Sequence, residues 1–305
     1  MYPLAEIFPG IRRYRIPISR DQAFLLVAAL NEFLLGVETY IAHLISGTIV
    51  PNEWIPILFG PISGVILVLA GWLAIRKRTI ATILASLVFI SSIIVGFLGA
   101  YFHVLRASIP FAQSQSLTVP LLVWAPPFLG PFTFALVGLL GLSAVWREEP
   151  VDSGKLVLLG DRNVTMPYSK TRAFFFITGL GALATTISSV LDHARTDFSN
   201  PWLWLPTLIG VFATVIAVLL GAIDHPSRWE FLTYALTMLI LMLVGVTGTI
   251  LHIEQNLTSQ GVFVMDRFVR GAPILAPLLF ADIGMIGLVA LMDPKEGKTG
   301  DSPEA

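Results

Sequence analysis

Apolar runs of about twenty residues recur along this chain, separated by short breaks that hold most of its charge. A run of that length is what a helix rising 1.5 Å per residue needs to cross a hydrocarbon core of roughly 30 Å. Of the 305 residues, 55% are hydrophobic and 13% charged, too little charge to clothe a soluble surface, so the solvent for most of the molecule is lipid. The runs predict helices over about 22–47, 56–76, 80–106, 118–146, 171–194, 202–223, 229–254 and 270–292. Strands are not expected, because a backbone amide in lipid must pair within its own segment and the runs are too long for barrel strands. The first run, from Ala23 to about Ser46, is too long for a signal peptide and is read as a retained helix.

The cations sort by side. Arg12, Arg13, Arg15 and Arg20, then Arg76, Lys77 and Arg78, then Arg147, Lys155, Arg162, Lys170 and Arg172, then Arg228, and finally Lys295 and Lys298 fall on one face of an eight-span protein. The opposite face keeps Arg106, Arg195, Arg267 and Arg270, so the positive-inside bias places both termini in the cytoplasm of a plasma or inner membrane. A net charge of -1 without a basic stripe excludes nucleic acid as a partner. The chain has no cysteine, so a metal held by it must be bound through histidine, carboxylate or amide groups.

A shift of about 150 residues lays the second half over the first. Ala23, Phe24 and His43 meet Ala173, Phe174 and His193; Trp54, Pro56, Gly60 and Gly71 meet Trp204, Pro206, Gly210 and Gly221. The pattern V-G-x-x-G-x-x-x-H occurs as Val95 to His103 and again as Val244 to His252, and Pro127, Pro131 and Gly138 meet Pro273, Pro277 and Gly284. The fold class expected is therefore an all-α integral membrane protein, eight transmembrane helices arranged as two tandem, parallel-repeated four-helix units. The units span about 22–146 and 171–292, joined by a cytoplasmic linker over about 147–170, with an N-terminal arm over 1–21 and a polar, disordered tail over 293–305.

Four of the five histidines are carried by the duplication: His43, His103, His193 and His252. Each sits near the outer end of its helix. Any one alone reads as an interfacial polar tip, whereas four at matched depth form a candidate ligand set for haem b or for a transition-metal ion. Gly96 and Gly99 share a helix face with His103, and Gly245 and Gly248 one with His252; such a smooth face admits either a neighbouring helix or the flat side of a haem. Carboxylates inside a span are costly unless paired or wet, which singles out Glu32 and Glu38 of the first helix and Asp282 of the last as candidates for proton transfer. Glu38 and Asp282 lie at comparable depth and are candidates to share a proton, a cation or a metal. Asp192 and Glu254 flank outer histidines as candidate orienting partners or as solvated charges.

The leading expectation is a membrane redox protein with a histidine-held cofactor and carboxylates that handle protons, working with a quinone or redox partner subunits. The alternative is a proton- or cation-coupled secondary transporter, in which prolines 126, 127, 131, 273 and 277 break helices around a path. In architecture alone, two four-helix bundles resemble the eight-helix anchor subunits of polysulfide-reductase-type enzymes. That resemblance implies a quinol site at His43 or Glu38, with the metals held by a partner subunit.

Overall fold

The computed structural model describes residues 2–13, 17–45, 47–108, 118–158 and 162–294. Arg15, Lys295 and Lys298 of the charge pattern, and the expected tail beyond Pro294, lie outside them. A short α1 (Pro3–Ile7) precedes the first long helix, α2 (Arg20–Leu44), whose start is set by a capping box between Ser19 and Gln22. There follow α3 (Trp54–Leu73), α4 (Arg78–Ser108), α5 (Val119–Trp124), α6 (Leu129–Val145), α7 (Lys170–Ala194), α8 (Trp204–Ala222), α9 (Arg228–Asn256), α10 (Met265–Arg270) and α11 (Leu275–Ala290). Six of these, α2, α3, α4, α7, α8 and α9, are long and apolar enough to cross a membrane, and α6 and α11 are shorter apolar helices. The chain is a multi-pass, all-α membrane protein.

The helix expected over about 118–146 is broken, and the one expected over about 270–292 begins late. Ala125 is extended ahead of Pro126, and the helix resumes only at Leu129. In the second half α10 stops at Arg270, and α11 starts at Leu275 beyond Pro273. Proline supplies no N–H and forces the residue before it out of helical conformation, so each break leaves backbone carbonyls without helical partners.

Packing pairs α2 with α3, α3 with α4, α4 with α6 and α2 with α6; in the second half α7 with α8, α8 with α9, α9 with α11 and α7 with α11. The halves meet where α6 packs on α7 and α11 on α2. At the centre of that seam the fully buried rings of Phe24 and Phe174 stack with centroids 4.1 Å apart. Beside them Arg20 Nη1 donates to Thr171 Oγ1 at 2.8 Å, and Lys170 Nζ donates to Asp21 Oδ2 at 2.7 Å. These contacts are reciprocal under the shift of about 150 residues: Arg20 takes the place of Lys170, and Asp21 that of Thr171.

Two expectations are corrected. The linker is not strand-free: β1 (Arg147–Glu148), β2 (Lys155–Val157) and β3 (Asn163–Thr165) form an antiparallel meander in the order β1-β2-β3. It is clamped by Glu148, whose carboxylate accepts from the backbone N–H groups of Asp152, Gly154 and Lys170. In the N-terminal arm, Ala5 and Ile7 are buried. Asp293, expected at the start of the disordered tail, accepts from the N–H groups of Leu4 and Ala5 at 3.0 and 3.3 Å. The first helix and the end of the last one are thereby tied together at one end of the bundle.

Candidate functional site

The helix breaks and the histidines belong to one arrangement. His103 Nδ1 lies 3.0 Å from the carbonyl oxygen of Pro127, and His252 Nδ1 lies 2.8 Å from that of Pro273. A carbonyl accepts and never donates, so in both imidazoles Nδ1 carries the hydrogen and Nε2 keeps its lone pair. A ring nitrogen anchored on a backbone carbonyl orients the other nitrogen for a ligand. Those two carbonyls lack a helical donor because Pro131 and Pro277, four residues further on, have no N–H; that of Pro127 also accepts from the Gly130 N–H at 3.2 Å.

In the first half His43 and His103 face one another, ring centroids 6.1 Å apart and planes inclined by 58°. That spacing is about what two imidazoles sharing one ion require, with metal–nitrogen bonds of roughly 2.0–2.1 Å. His43 Nδ1 is anchored 2.7 Å from the Thr39 carbonyl, and its Nε2 lies 3.8 Å from Glu53 Oε1. Glu53 in turn pairs with Arg106 at 3.5 Å. Glu53 escaped the sequence reading because it has no duplicated counterpart, Leu203 standing at the equivalent place. Its signal was a carboxylate at the start of a span, at the depth of His43.

The second half brings His193 within electrostatic range of His252, with Asp192 within range of both. Asp192 pairs with Arg195 at 3.8 Å, and His193 Nδ1 is 3.4 Å from Ser189 Oγ. The first half sets two imidazoles beside one carboxylate and one arginine; in the second, the ring contact of His193 is with Phe198, at 6.0 Å, and His252 stands within electrostatic range. Among the described residues no three His, Asp or Glu side chains already stand in a metal-holding group. Glu254, by contrast, is exposed.

Arg195 also reaches across the seam, donating to the carbonyls of Val123 in the last turn of α5 and of Ala125 just beyond it. Asn256 exchanges two hydrogen bonds with Ala272, bracing the break before α11. The histidine-bearing end of the bundle is therefore held by side chains bonded to proline-freed backbone.

The glycine faces are occupied. A Cβ added to Gly99 would stand 2.6 Å from Pro131 Cβ, and one on Gly248 would stand 2.9 Å from Pro277 Cβ. Gly96 and Gly245 face Ala135 and Ala281 in the same way. α6 and α11 cover the surfaces that a porphyrin would need beneath His103 and His252, so the residues present suit an ion better than a haem.

The acids of α2 and α11 go to separate partners. Glu32 is fully buried, hydrogen-bonded to Ser92, whose hydroxyl also lies 2.8 Å from the Phe134 carbonyl. Glu32 Oε2 is buried without a hydrogen-bond partner. Asp282 Oδ2 accepts from Asn31 Nδ2 at 2.8 Å, joining α11 to α2 across the seam. Asp282 also lines a cavity of about 50 Å³ with Thr133, Thr185 and Ser188. Glu38 is half-buried, and among the described residues no hydrogen bond or ion pair joins it to Asp282. The hydrogen-bond partner of Asp282 is Asn31, which lies seven residues, about two turns, before Glu38 on the same face of α2.

No protein family, no curated protein and no solved structure matches this chain.

Proposed function

We propose that the chain crosses the membrane eight times as two related four-helix halves, and that each half holds one transition-metal ion between its two imidazoles for electron transfer. The observation that carries this reading is the repeated anchoring of His103 on Pro127 and His252 on Pro273, which leaves a lone pair on Nε2 in both. Glu53 and Asp192 supply the carboxylate of a two-histidine, one-carboxylate set, a donor combination suited to a redox-active first-row metal. The reciprocal Arg20–Thr171 and Asp21–Lys170 contacts and the Phe24–Phe174 stack support a twofold relation between the halves.

In this reading the sites lie at the outer face of a plasma or inner membrane, with both termini in the cytoplasm, as the cation distribution favours. Electrons exchange with a quinone or with a redox partner subunit. Haem b is the less suitable cofactor, because helices cover the glycine faces. The test is a spectroscopic titration of metal-depleted protein in mild detergent with Co²⁺, whose d–d bands report nitrogen ligation. Saturation near two equivalents supports the reading, and an absence of ligand bands opposes it.

Proton- or cation-coupled transport is the second reading. It is favoured by Glu32 and Asp282, both within the spans and each bonded to one neutral side chain. Proton-driven uptake into vesicles that is lost in Glu32→Gln, in a protein that binds no metal, would support it over the first.

A further inference from the structure

The opposite end of the bundle holds a cavity that the imidazole reading does not use. It has a volume of about 640 Å³ and opens where α2 and α4 begin and α3 and α6 end. Ligand pockets commonly measure about 300–1,000 Å³. Its walls are apolar, from Leu25, Leu67, Ala70 and Ala85, and its charged lining is Arg20, Arg78, Arg147 and Lys170 against Asp21 and Glu148.

The two signs differ in how they are engaged. Glu148 is spent on three backbone N–H groups of the linker, and Asp21 receives Lys170. Lys170 is itself saturated, since it also donates to the carbonyls of Ala144 and Trp146. The guanidiniums are not. Arg20 is only 2% exposed; its Nε forms an ion pair with Asp21 Oδ1 at 3.7 Å but makes no hydrogen bond, and of its five donors one hydrogen bond is placed, on Thr171. Arg78 and Arg147 are exposed at the mouth, near enough to repel one another, and neither forms a hydrogen bond or ion pair with a described residue.

A buried donor without a partner costs free energy unless something polar fills the space. Two exposed guanidiniums at the mouth, with a third in the lining and apolar walls between, match a tetrahedral oxyanion attached to a hydrocarbon chain. We propose that this cavity is a binding site for a phosphate group, supplied by an anionic phospholipid whose acyl chain lies along the Leu25–Leu67 wall. The proposal stands independently of the metal sites.

The test is thermal unfolding of delipidated protein in neutral detergent with added phosphatidylglycerol, phosphatidylcholine or inorganic phosphate. Phosphatidylglycerol is expected to raise Tm by roughly 5 °C at a hundredfold excess over Kd, and phosphatidylcholine not to do so. The rise should vanish in Arg78→Ala/Arg147→Ala and persist in Lys77→Ala/Lys155→Ala, which removes two exposed cations outside the cavity. An equal rise with inorganic phosphate, equally dependent on Arg78 and Arg147, would keep the site and assign it to a soluble oxyanion. Equal responses to both lipids, or equal losses in the two double variants, would overturn it.

Discussion

His103 Nδ1 is fixed 3.0 Å from the carbonyl oxygen of Pro127, a backbone acceptor whose helical donor is missing because Pro131, four residues on, has no N–H. One structural defect and one ligand-type side chain are thereby coupled, and the same coupling recurs at Pro273 and His252. The carbonyl is given a donor by the imidazole, and the imidazole is oriented by the carbonyl.

Glycines on the α4–α6 and α9–α11 contacts should resist enlargement. Gly99→Ala and Gly248→Ala each drive a methyl group into a proline ring, an overpacking expected to cost about 1–3 kcal/mol. Gly71→Ala meets nothing within 4 Å and is expected to be neutral or slightly stabilising. Thermal unfolding in detergent ranks the three, and a Gly99→Ala protein as stable as Gly71→Ala would contradict the packing described.

Glu32 and Ser92 share a proton-counting problem. Ser92 has one hydroxyl proton and two acceptors, Glu32 and the Phe134 carbonyl, so both bonds exist together only when the carboxyl group contributes a hydrogen. The expected result is an infrared carboxylic-acid C=O band at neutral pH that disappears in Glu32→Gln. Ser92→Ala should destabilise by about 1–3 kcal/mol through the unsatisfied Glu32. Retention of the band in Glu32→Gln would assign it elsewhere.

Asn31 and Asp282 join α2 to α11 at 2.8 Å, and a double-mutant cycle should find them coupled. Asn31→Ala leaves Asp282 without its partner and is expected to cost about 1–3 kcal/mol, less when Asp282→Leu is already present, with a coupling of about 0.5–3 kcal/mol. Strict additivity would mean that the contact contributes nothing to the seam.

Because the chain has no cysteine, single introduced thiols report topology cleanly. With eight crossings, Asn52→Cys, Ser199→Cys and Gln260→Cys should react with an impermeant maleimide in intact cells. Lys77→Cys and Lys155→Cys should react only after permeabilisation; all five positions are exposed. Labelling of Asn52→Cys and Ser199→Cys from opposite sides would break the parallel arrangement of the two halves.

The multi-pass helical class was legible because lipid imposes a strong pattern: long apolar runs, with charge gathered in the breaks. Prolines 126, 127 and 273 marked the breaks, although hydropathy carried the expected helices straight through them. What was not legible depended on contacts distant in sequence. The linker meander is nucleated by Glu148 gathering N–H groups up to twenty-two residues away, a clamp that no short window displays. Arg20 and Lys170 resembled ordinary cytoplasmic flanks, yet both are buried at the seam. The glycine faces allowed a helix or a cofactor, and only tertiary packing decided in favour of α6 and α11.

Metal content measured by elemental analysis, together with the optical spectrum, on protein purified in mild detergent tests the central claim most directly. The comparison is between wild type, His103→Ala, His252→Ala and the double variant. The account predicts a bound transition metal near two per chain, about half that in either single variant and little in the double, with no Soret band. A well-folded wild-type protein that carries no metal, or a metal content unmoved by either histidine, would contradict it.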